Sequence, residues 1–175
     1  MAEQNHKIVF RVRVSVKSIL TGEESQVQEW DDPGSVQLMQ ILEANLLDSA
    51  QGAVVKDTGG TSRSFSANTS ITGINVVAGT DTTAAAVTDY KLNAQSSNGQ
   101  GSQAGTVGSV NTTTGVFTVT ANMSAPSSGS IVYGEVGLQV TTASYTFSIA
   151  RGTTGGTWSV DTVHYLAVTY TQTPS

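Results

Sequence analysis

The chain has 175 residues, of which 38% are hydrophobic and only 12% are charged, and its formal net charge is −5. This acidic balance argues against a protein that binds nucleic acid by neutralising phosphates. There is no cysteine, so neither disulfides nor thiolate metal sites can hold the fold together. No apolar stretch approaches the roughly 20 residues of a membrane helix, and the polar N-terminus lacks a signal-peptide pattern. We therefore expect a protein that folds in a cytosol and uses no nucleic acid, membrane or cofactor.

The first predicted element is a β-hairpin. Between residues 8 and 16 apolar residues alternate with Arg11 and Arg13, which is typical of a strand that has one solvent-facing side. Gly22 supplies a turn, and residues 25–30 can return as a second strand. The two arginines project together from the polar side. They are candidates for pairing with acidic groups on a partner, or they are ordinary solvated residues.

A helix is predicted directly after the hairpin. Asp32 can act as its N-cap with Pro33 at the first helical position, and the helix would end near residues 48–52. Its apolar positions recur at spacings of three and four, at Leu38, Met39, Leu42 and Leu46.

The rest of the chain predicts strands. They fall at residues 53–56, 63–67, 71–78, 88–94, 105–110, 115–122, 130–140, 144–151 and 157–171, with a tight turn at 57–60. Many short strands at this spacing predict a mainly β fold, an antiparallel β-sandwich or a jelly-roll-like domain. A composition shift near residues 60–70 indicates a boundary between an N-terminal α/β segment with one short helix (1–70), a possible anchoring arm, and a β-sandwich domain (71–175).

Charge nearly disappears from the second half of the chain. From residue 92 onward the only charged residues are Glu135, Arg151 and Asp161. Low charge combined with β-periodicity indicates faces that pack against another sheet or against neighbouring subunits. The pattern favours a structural part over a catalyst, and we expect no enzymatic activity.

Histidine chemistry offers little for catalysis. His164 has Asp161 three residues before it, and an odd separation along a strand places two side chains on opposite faces. The pair is therefore not expected to form a site unless a bulge intervenes. No Gly-x-Ser-x-Gly elbow is present to expose a nucleophilic serine.

Two aspartates could meet across a loop. Asp81 and Asp89 bracket a Thr/Ala-rich stretch and could bind calcium through oxygen ligands. The ligand order of an EF-hand is absent, and aspartate in a turn needs no metal. We therefore expect no metal site.

An acidic stretch surrounds Trp30. Its members are Glu23, Glu24, Glu29, Asp31 and Asp32. The stretch is a solvated face or a patch that docks against a basic partner. Trp158, exposed with a tyrosine, could stack on a sugar ring, although core or interface packing fits both tryptophans better. Trp30 and Trp158 are therefore candidate partner-binding residues, with Arg11 and Arg13.

Two stretches carry a resemblance to a known group. In residues 76–92 a Gly-Thr step and an Ala-rich turn lead to an Asp-x-x-Leu step, and residues 148–170 have an Ala-Arg pair before a turn and close on a Leu-x-Val-x-Tyr strand. Both stretches resemble virion structural proteins of tailed bacteriophages, although the proline usual in the Ala-rich turn is missing. The resemblance covers roughly residues 71 to 171.

This resemblance implies a component of a phage particle. We expect a capsid decoration or cement protein that binds the major capsid protein or other virion proteins, forms a homo-oligomer and is located in the virion after assembly in the host cytoplasm. The alternative is a tail, neck or fibre component, of which a receptor- or carbohydrate-binding module is one form. A small hydrolase that depends on His164 is a third hypothesis, of another class.

Overall fold

The computed structural model describes residues 9–32, 34–46, 53–66, 69–97, 100–153 and 156–173. Antiparallel strands make up most of the secondary structure in these ranges, which confirms the mainly β, sandwich-like class. The strands are β1 (Phe10–Ser18), β2 (Glu24–Asp32), β3 (Ala53–Lys56), β4 (Ser62–Phe65), β5 (Gly73–Gly79), β6 (Ser102–Ala104), β7 (Thr106–Val107), β8 (Phe117–Met123), β9 (Ser130–Tyr133), β10 (Glu135–Thr141), β11 (Thr146–Gly152), β12 (Trp158–Asp161) and β13 (His164–Gln172); the helix α1 spans Val36–Leu46.

The first sheet has five strands in the order β2-β1-β13-β8-β7. β1 lies between β2 and β13 and pairs antiparallel with both. Alternation along β1 buries its valines in the core and leaves Arg11 and Arg13 on the outer face. The predicted hairpin is confirmed, with Gly22 in the left-handed region at its turn (φ 72°).

The second sheet has four strands in the order β11-β10-β5-β6. Strands β10 and β11 are buried over almost their whole length, on both faces. Their inner face joins one hydrophobic core with the first sheet, in which Val12 and Tyr170 pack with Val76 and Leu138. Their outer face is covered by residues 80–97, here called the 80–97 loop, and by α1. The structure is therefore a two-sheet sandwich with an extra layer on one side.

Two small ribbons complete the sandwich. β3 pairs with β4 next to α1, and the tight turn predicted at 57–60 joins them through a bond from the Gly60 amide to the Asp57 carbonyl, 2.9 Å. β9 pairs with β12 and brings Tyr133 and Trp158 into the core. The Tyr133 hydroxyl donates to the carbonyl of Gln100 at 2.7 Å, which fastens β9 to the chain before β6.

The helix begins three residues later than predicted. Asp32 still belongs to β2, where it pairs with Phe10, and Ser35 takes the capping role, its Oγ accepting a bond from the Leu38 amide at 3.4 Å. Pro33 and residues 47–52, where the end of the helix is predicted, lie outside the described residues. No helix among the residues described is long and apolar enough to cross a membrane.

The buried face of the helix also differs in part from the prediction. Leu38, Ile41 and Ala44 enter the core, and Leu42 packs against it, whereas Met39 is half exposed. The side chain of Leu46 lies outside what the structure describes.

Four predicted strands need correction. Residues 88–94 form no strand, because the amides of Asn93 and Ala94 bond to a side chain instead of a neighbouring strand. The segment 130–140 is split at Gly134, whose amide donates to the carbonyl of Gly79. The segment 157–171 is split by a turn at residues 162–163, and only Thr106 and Val107 of the segment 105–110 join a ladder.

The predicted N-terminal hairpin forms part of the first sheet. β1 pairs with β13 in an unbroken register from Phe10–Gln172 to Ser18–His164.

Candidate functional site

The 80–97 loop is held on the second sheet by one arginine. Arg151, near the end of β11, extends its guanidinium under the loop, and only 1% of its side chain is exposed. It donates from Nε to Glu135 at 2.8 Å, from one terminal nitrogen to Asp89 at 2.6 Å, and from the other to Asp81 at 3.3 Å. The carbonyls of Thr83 and Ala84 accept further bonds from the same group. Arg151, Glu135, Asp81 and Asp89 are here called the Arg151 cluster.

Glu135 joins the other end of the loop to the same cluster. Its side chain is 0% exposed and accepts bonds from the amides of Asn93 at 3.1 Å and Ala94 at 2.7 Å, besides Arg151. Gly79 lies next to the Glu135 carboxylate. A larger residue would not fit there, because its Cβ would come within 2.5 Å of both Glu135 Oε1 and the Ala94 carbonyl. The loop thus contacts the second sheet at Gly79 of β5, where no side chain separates the two backbones.

The electrostatics of the cluster favour its charged form. Burial by itself lowers the pKa of Arg151, but hydrogen bonds and charges from Glu135 and Asp89 outweigh burial and leave the pKa raised. The pKa of Asp81 is lowered, first by a bond from the Asn93 amide group and then by Thr83. The buried ions are paired and hydrogen bonded, which is the condition for keeping charge in a core.

Asp81 and Asp89 therefore do converge across their loop, as the calcium hypothesis requires, but a guanidinium takes the place of the cation. Both carboxylates bind Arg151. Within the ranges that the structure describes, no group of acidic or histidine side chains is arranged to hold a metal ion. The Arg151 cluster attaches the 80–97 loop to the second sheet.

The two tryptophans are in contact. Their rings stack with centroids 5.8 Å apart and planes 24° from parallel. Trp158 is completely buried, so its ring is not available to a sugar, while Trp30 remains half-buried. Gly152 makes room for this arrangement, since a Cβ there would lie 2.6 Å from Trp30 Nε1.

A groove opens beside Trp30. Its volume is about 230 Å³, and it is lined by Trp30, Asp31, Asp32, Ala84, Ala85 and residues 151–153. A smaller cavity of about 50 Å³ adjoins it, shares Asp32 and Arg151 with it, and reaches Ser35 and Val87 at the start of α1. The larger opening is here called the Trp30 groove.

Asp32 is the least satisfied charged group at this place. The residue is 3% exposed, its Oδ1 accepts a bond from the Gly34 amide at 2.9 Å, and its Oδ2 has no partner. Burial raises the pKa of Asp32 to about 6. The hydroxyl of Tyr170 is also buried without a partner, and the charge of Asp32 adds to the burial that raises the pKa of Tyr170.

Arg11 and Arg13 find acidic partners within their own chain. Arg11 bonds to Glu29 at 3.0 Å, and Arg13 bonds to Glu24 at 2.5 Å and to Glu29 at 3.2 Å. The Arg11 side chain stays 65% exposed, so it is accessible to other molecules. A role for either arginine toward a partner stays a prediction.

The expectation for His164 and Asp161 was wrong. Their side chains meet, with Nδ1 2.6 Å from Oδ1, because β12 ends at Asp161 and a two-residue turn precedes β13. Alternation does not continue through a turn, so the odd spacing no longer separates them. Asp161 Oδ1 also accepts a bond from the Val163 amide, and this bond stabilises the turn. These hydrogen bonds lower the pKa of Asp161, and the bond with His164 has the largest effect.

Arg151 and Glu135 are the residues that the sequence reasoning missed. A signal was available, because they are two of the three charges in the uncharged part of the chain. A lone charge among apolar and small residues is expensive to bury unless it is paired, and here each is the partner of the other.

Comparison of the chain with models of protein families, with curated proteins and with solved structures gave no significant match.

Proposed function

We propose that this protein is a structural component of a tailed-phage particle, with a capsid decoration or cement role as its best assignment. In that role it binds neighbouring subunits of the shell and catalyses no reaction. The proposal rests on the phage-like stretches at residues 76–92 and 148–170, and on one structural observation, a neutral outer face on the first sheet.

The outer face of β7, β8 and β13 carries no charge. Alternation places it opposite the core residues of these strands, and register aligns Thr106 with Thr120 and Thr169, and Thr118 with Thr171. Asn122 continues the same face, and these six residues are here called the threonine face. Thr106, Thr120 and Asn122 are exposed, and the others are half-buried.

A face of this kind suits contact with protein. Covering it removes no ionised group from water, so the largest desolvation cost of burial is avoided. The cores of protein interfaces are likewise depleted of charged residues. The neighbouring part of the same sheet, on β1 and β2, carries ion pairs instead and suits a solvated rim.

The two phage-like stretches also form one unit. Residues 76–92 contain β5, Asp81 and Asp89, and residues 148–170 contain Arg151, which bonds to both aspartates. These charged side chains, which an enzyme could use for catalysis, instead bind one another and hold the 80–97 loop in place. This use supports a structural protein over a hydrolase.

The test is to locate the protein in particles. Phage particles from a culture that produces the chain are separated into tailless heads and tails, and each fraction is analysed by quantitative mass spectrometry. Recovery with the heads, in a fixed ratio to the major capsid protein, is the expected result. Absence from purified particles overturns the proposal, and recovery with tails alone moves the assignment to a tail, neck or fibre component.

The carbohydrate-binding form of that alternative loses its main support. It requires an exposed Trp158, whose ring is instead buried against Trp30. A glycan array on the purified protein tests what remains of it, and we expect no specific signal.

A further inference from the structure

We propose that the Trp30 groove is a binding site for a lysine side chain of a partner protein, with the aliphatic stem beside Trp30 and the ammonium group at Asp32. The proposal deepens the proposed function and, as a contact made within a particle, it rests on that function. The lysine site specifies which chemical group the protein binds, whereas fractionation of particles shows only where the protein is located.

The charge around the groove calls for a cation. Asp31 and Asp32 border it directly, and Asp81, Asp89 and Glu135 stand behind it around Arg151. Among the residues that the structure describes, Arg151 is the one cation bonded to Asp81, Asp89 and Glu135, so it is already shared among three carboxylates. A partner that brings one positive charge therefore meets an uncompensated negative site.

Asp32 supplies the specific contact. Asp32 lines both the groove and the adjoining cavity, the residue is 97% removed from solvent, and its buried Oδ2 has no hydrogen-bond donor. A buried acceptor without a donor is costly, and an ammonium group carries three donors. The adjoining cavity of about 50 Å³ exceeds the roughly 10–15 Å³ that one water-sized group needs.

The groove also fits the stem of the side chain. Trp30 offers an aromatic surface, and Ala84 and Ala85 add apolar surface to the lining of the groove. Lysine buries its methylene stem along such surfaces while its charge reaches a polar end, and a cation near an indole gains a further attraction. An anionic or neutral polar ligand would leave Asp32 unpaired, which is why we commit to an ammonium group.

The experiment uses the whole protein and a defined probe. Nα-acetyl-lysine N-methylamide is titrated at millimolar concentration while amide and indole resonances are followed by NMR. We expect saturable shifts of the Trp30 indole and of the amides at Ala85 and Gly152. Nα-acetyl-norleucine N-methylamide, which has no charge, should cause at most a tenth of the effect. Equal shifts with both probes, or none with either, would overturn the proposal.

Two variants locate the site. Asp32→Asn should weaken binding at least about tenfold, and Ala85→Phe should abolish it by filling the groove without altering a charge. Glu29→Gln is the matched control, because it removes a carboxylate from the same strand at a position where Glu29 faces Arg11 and Arg13. Binding that responds to Glu29→Gln as strongly as to Asp32→Asn would show a diffuse charge effect and count against the site.

These outcomes are separable from those of the proposed function. A protein found in heads that does not bind the lysine probe refutes the inference and leaves the function standing. A protein that binds the lysine probe but is absent from particles refutes the proposed function and leaves the lysine site standing.

Discussion

Arg151 Nε donates to Glu135 Oε2 at 2.8 Å, and both side chains are closed to solvent beneath the 80–97 loop. This bond joins the two strands β10 and β11 on the face where the loop is attached. An unpaired charge in a core costs far more than a lost contact, so loss of either partner would leave the other as a costly buried ion.

The first prediction concerns removal of the arginine. Arg151→Met should lower the free energy of unfolding by about 3–5 kcal/mol, because it leaves Glu135 buried without its cation. Urea denaturation measures the change. The double variant Arg151→Met with Glu135→Gln should regain part of the loss, since the remaining group is neutral. A loss below about 1 kcal/mol for the single variant would contradict the role given to the cluster.

The second prediction concerns pH and Asp32. Its pKa in the folded protein is about 6 against an ordinary value of 3.8, so the folded state holds a proton that the unfolded state has released. Stability should therefore fall as pH rises from about 4 through about 6, by up to about 3 kcal/mol from this group. Among the described residues, Arg151 lines the same cavity as Asp32, and the buried Tyr170 interacts electrostatically with Asp32.

Asp32→Asn isolates this contribution. The amide oxygen can still accept the bond from Gly34 but does not titrate, so the variant should gain stability over the original protein at about pH 8 and show little difference at about pH 4. Thermal unfolding at both pH values checks the result. A variant less stable than the original at the higher pH would mean that Asp32 is paired when ionised.

The third prediction concerns the close approach at Gly79. Gly79→Ala places a Cβ about 2.5 Å from the Ala94 carbonyl and Glu135 Oε1, and backbone cannot move aside cheaply there. We expect a loss of about 1–3 kcal/mol and faster hydrogen exchange of the Asn93 and Ala94 amides. Unchanged exchange at these two amides would show that the loop is held by other contacts.

The fourth prediction concerns calcium. Because Asp81 and Asp89 bind Arg151, calcium chloride at about 5 mM should leave the melting temperature unchanged, although weak extracellular sites bind in this range. A matched magnesium chloride sample controls for ionic strength. A rise specific to calcium would place a cation site at the loop after all.

The fifth prediction concerns the exposed arginines. Arg11→Ala should change the free energy of unfolding by less than about 1 kcal/mol, because its bond to Glu29 is largely exposed to solvent. The same variant then provides a clean test of a partner role. If co-sedimentation with purified heads weakens while stability is kept, Arg11 contacts the shell; if sedimentation is unchanged, that role is refuted.

The sequence predicted those parts of the fold that follow from local pattern. The alternation around Arg11 and Arg13 was enough to place the first hairpin, and the turn at 57–60 followed from its residues. The pairing of β1 with β13 could not be predicted, because register between distant strands has no local signal. The composition shift was therefore interpreted as a boundary.

The site was less accessible to sequence reasoning for the same reason. Asp81 and Asp89 were recognised as a pair, but their common partner Arg151 lies 70 and 62 residues further along the chain, on β11. His164 and Asp161 were misjudged because the turn between them was taken as strand. In each case the missing information was the path of the backbone, and not the chemistry of the side chains.

The position of β13 has a consequence for biosynthesis. β13 lies between the first hairpin and β8, so the five-stranded sheet has a gap at its centre until residues 164–172 have been synthesised. Until then the inward valines of β1 and the apolar side of β8 have no neighbour between them. Nascent chains should therefore expose apolar surface until β13 emerges, and chains truncated before residue 164 should aggregate instead of forming shorter folded products.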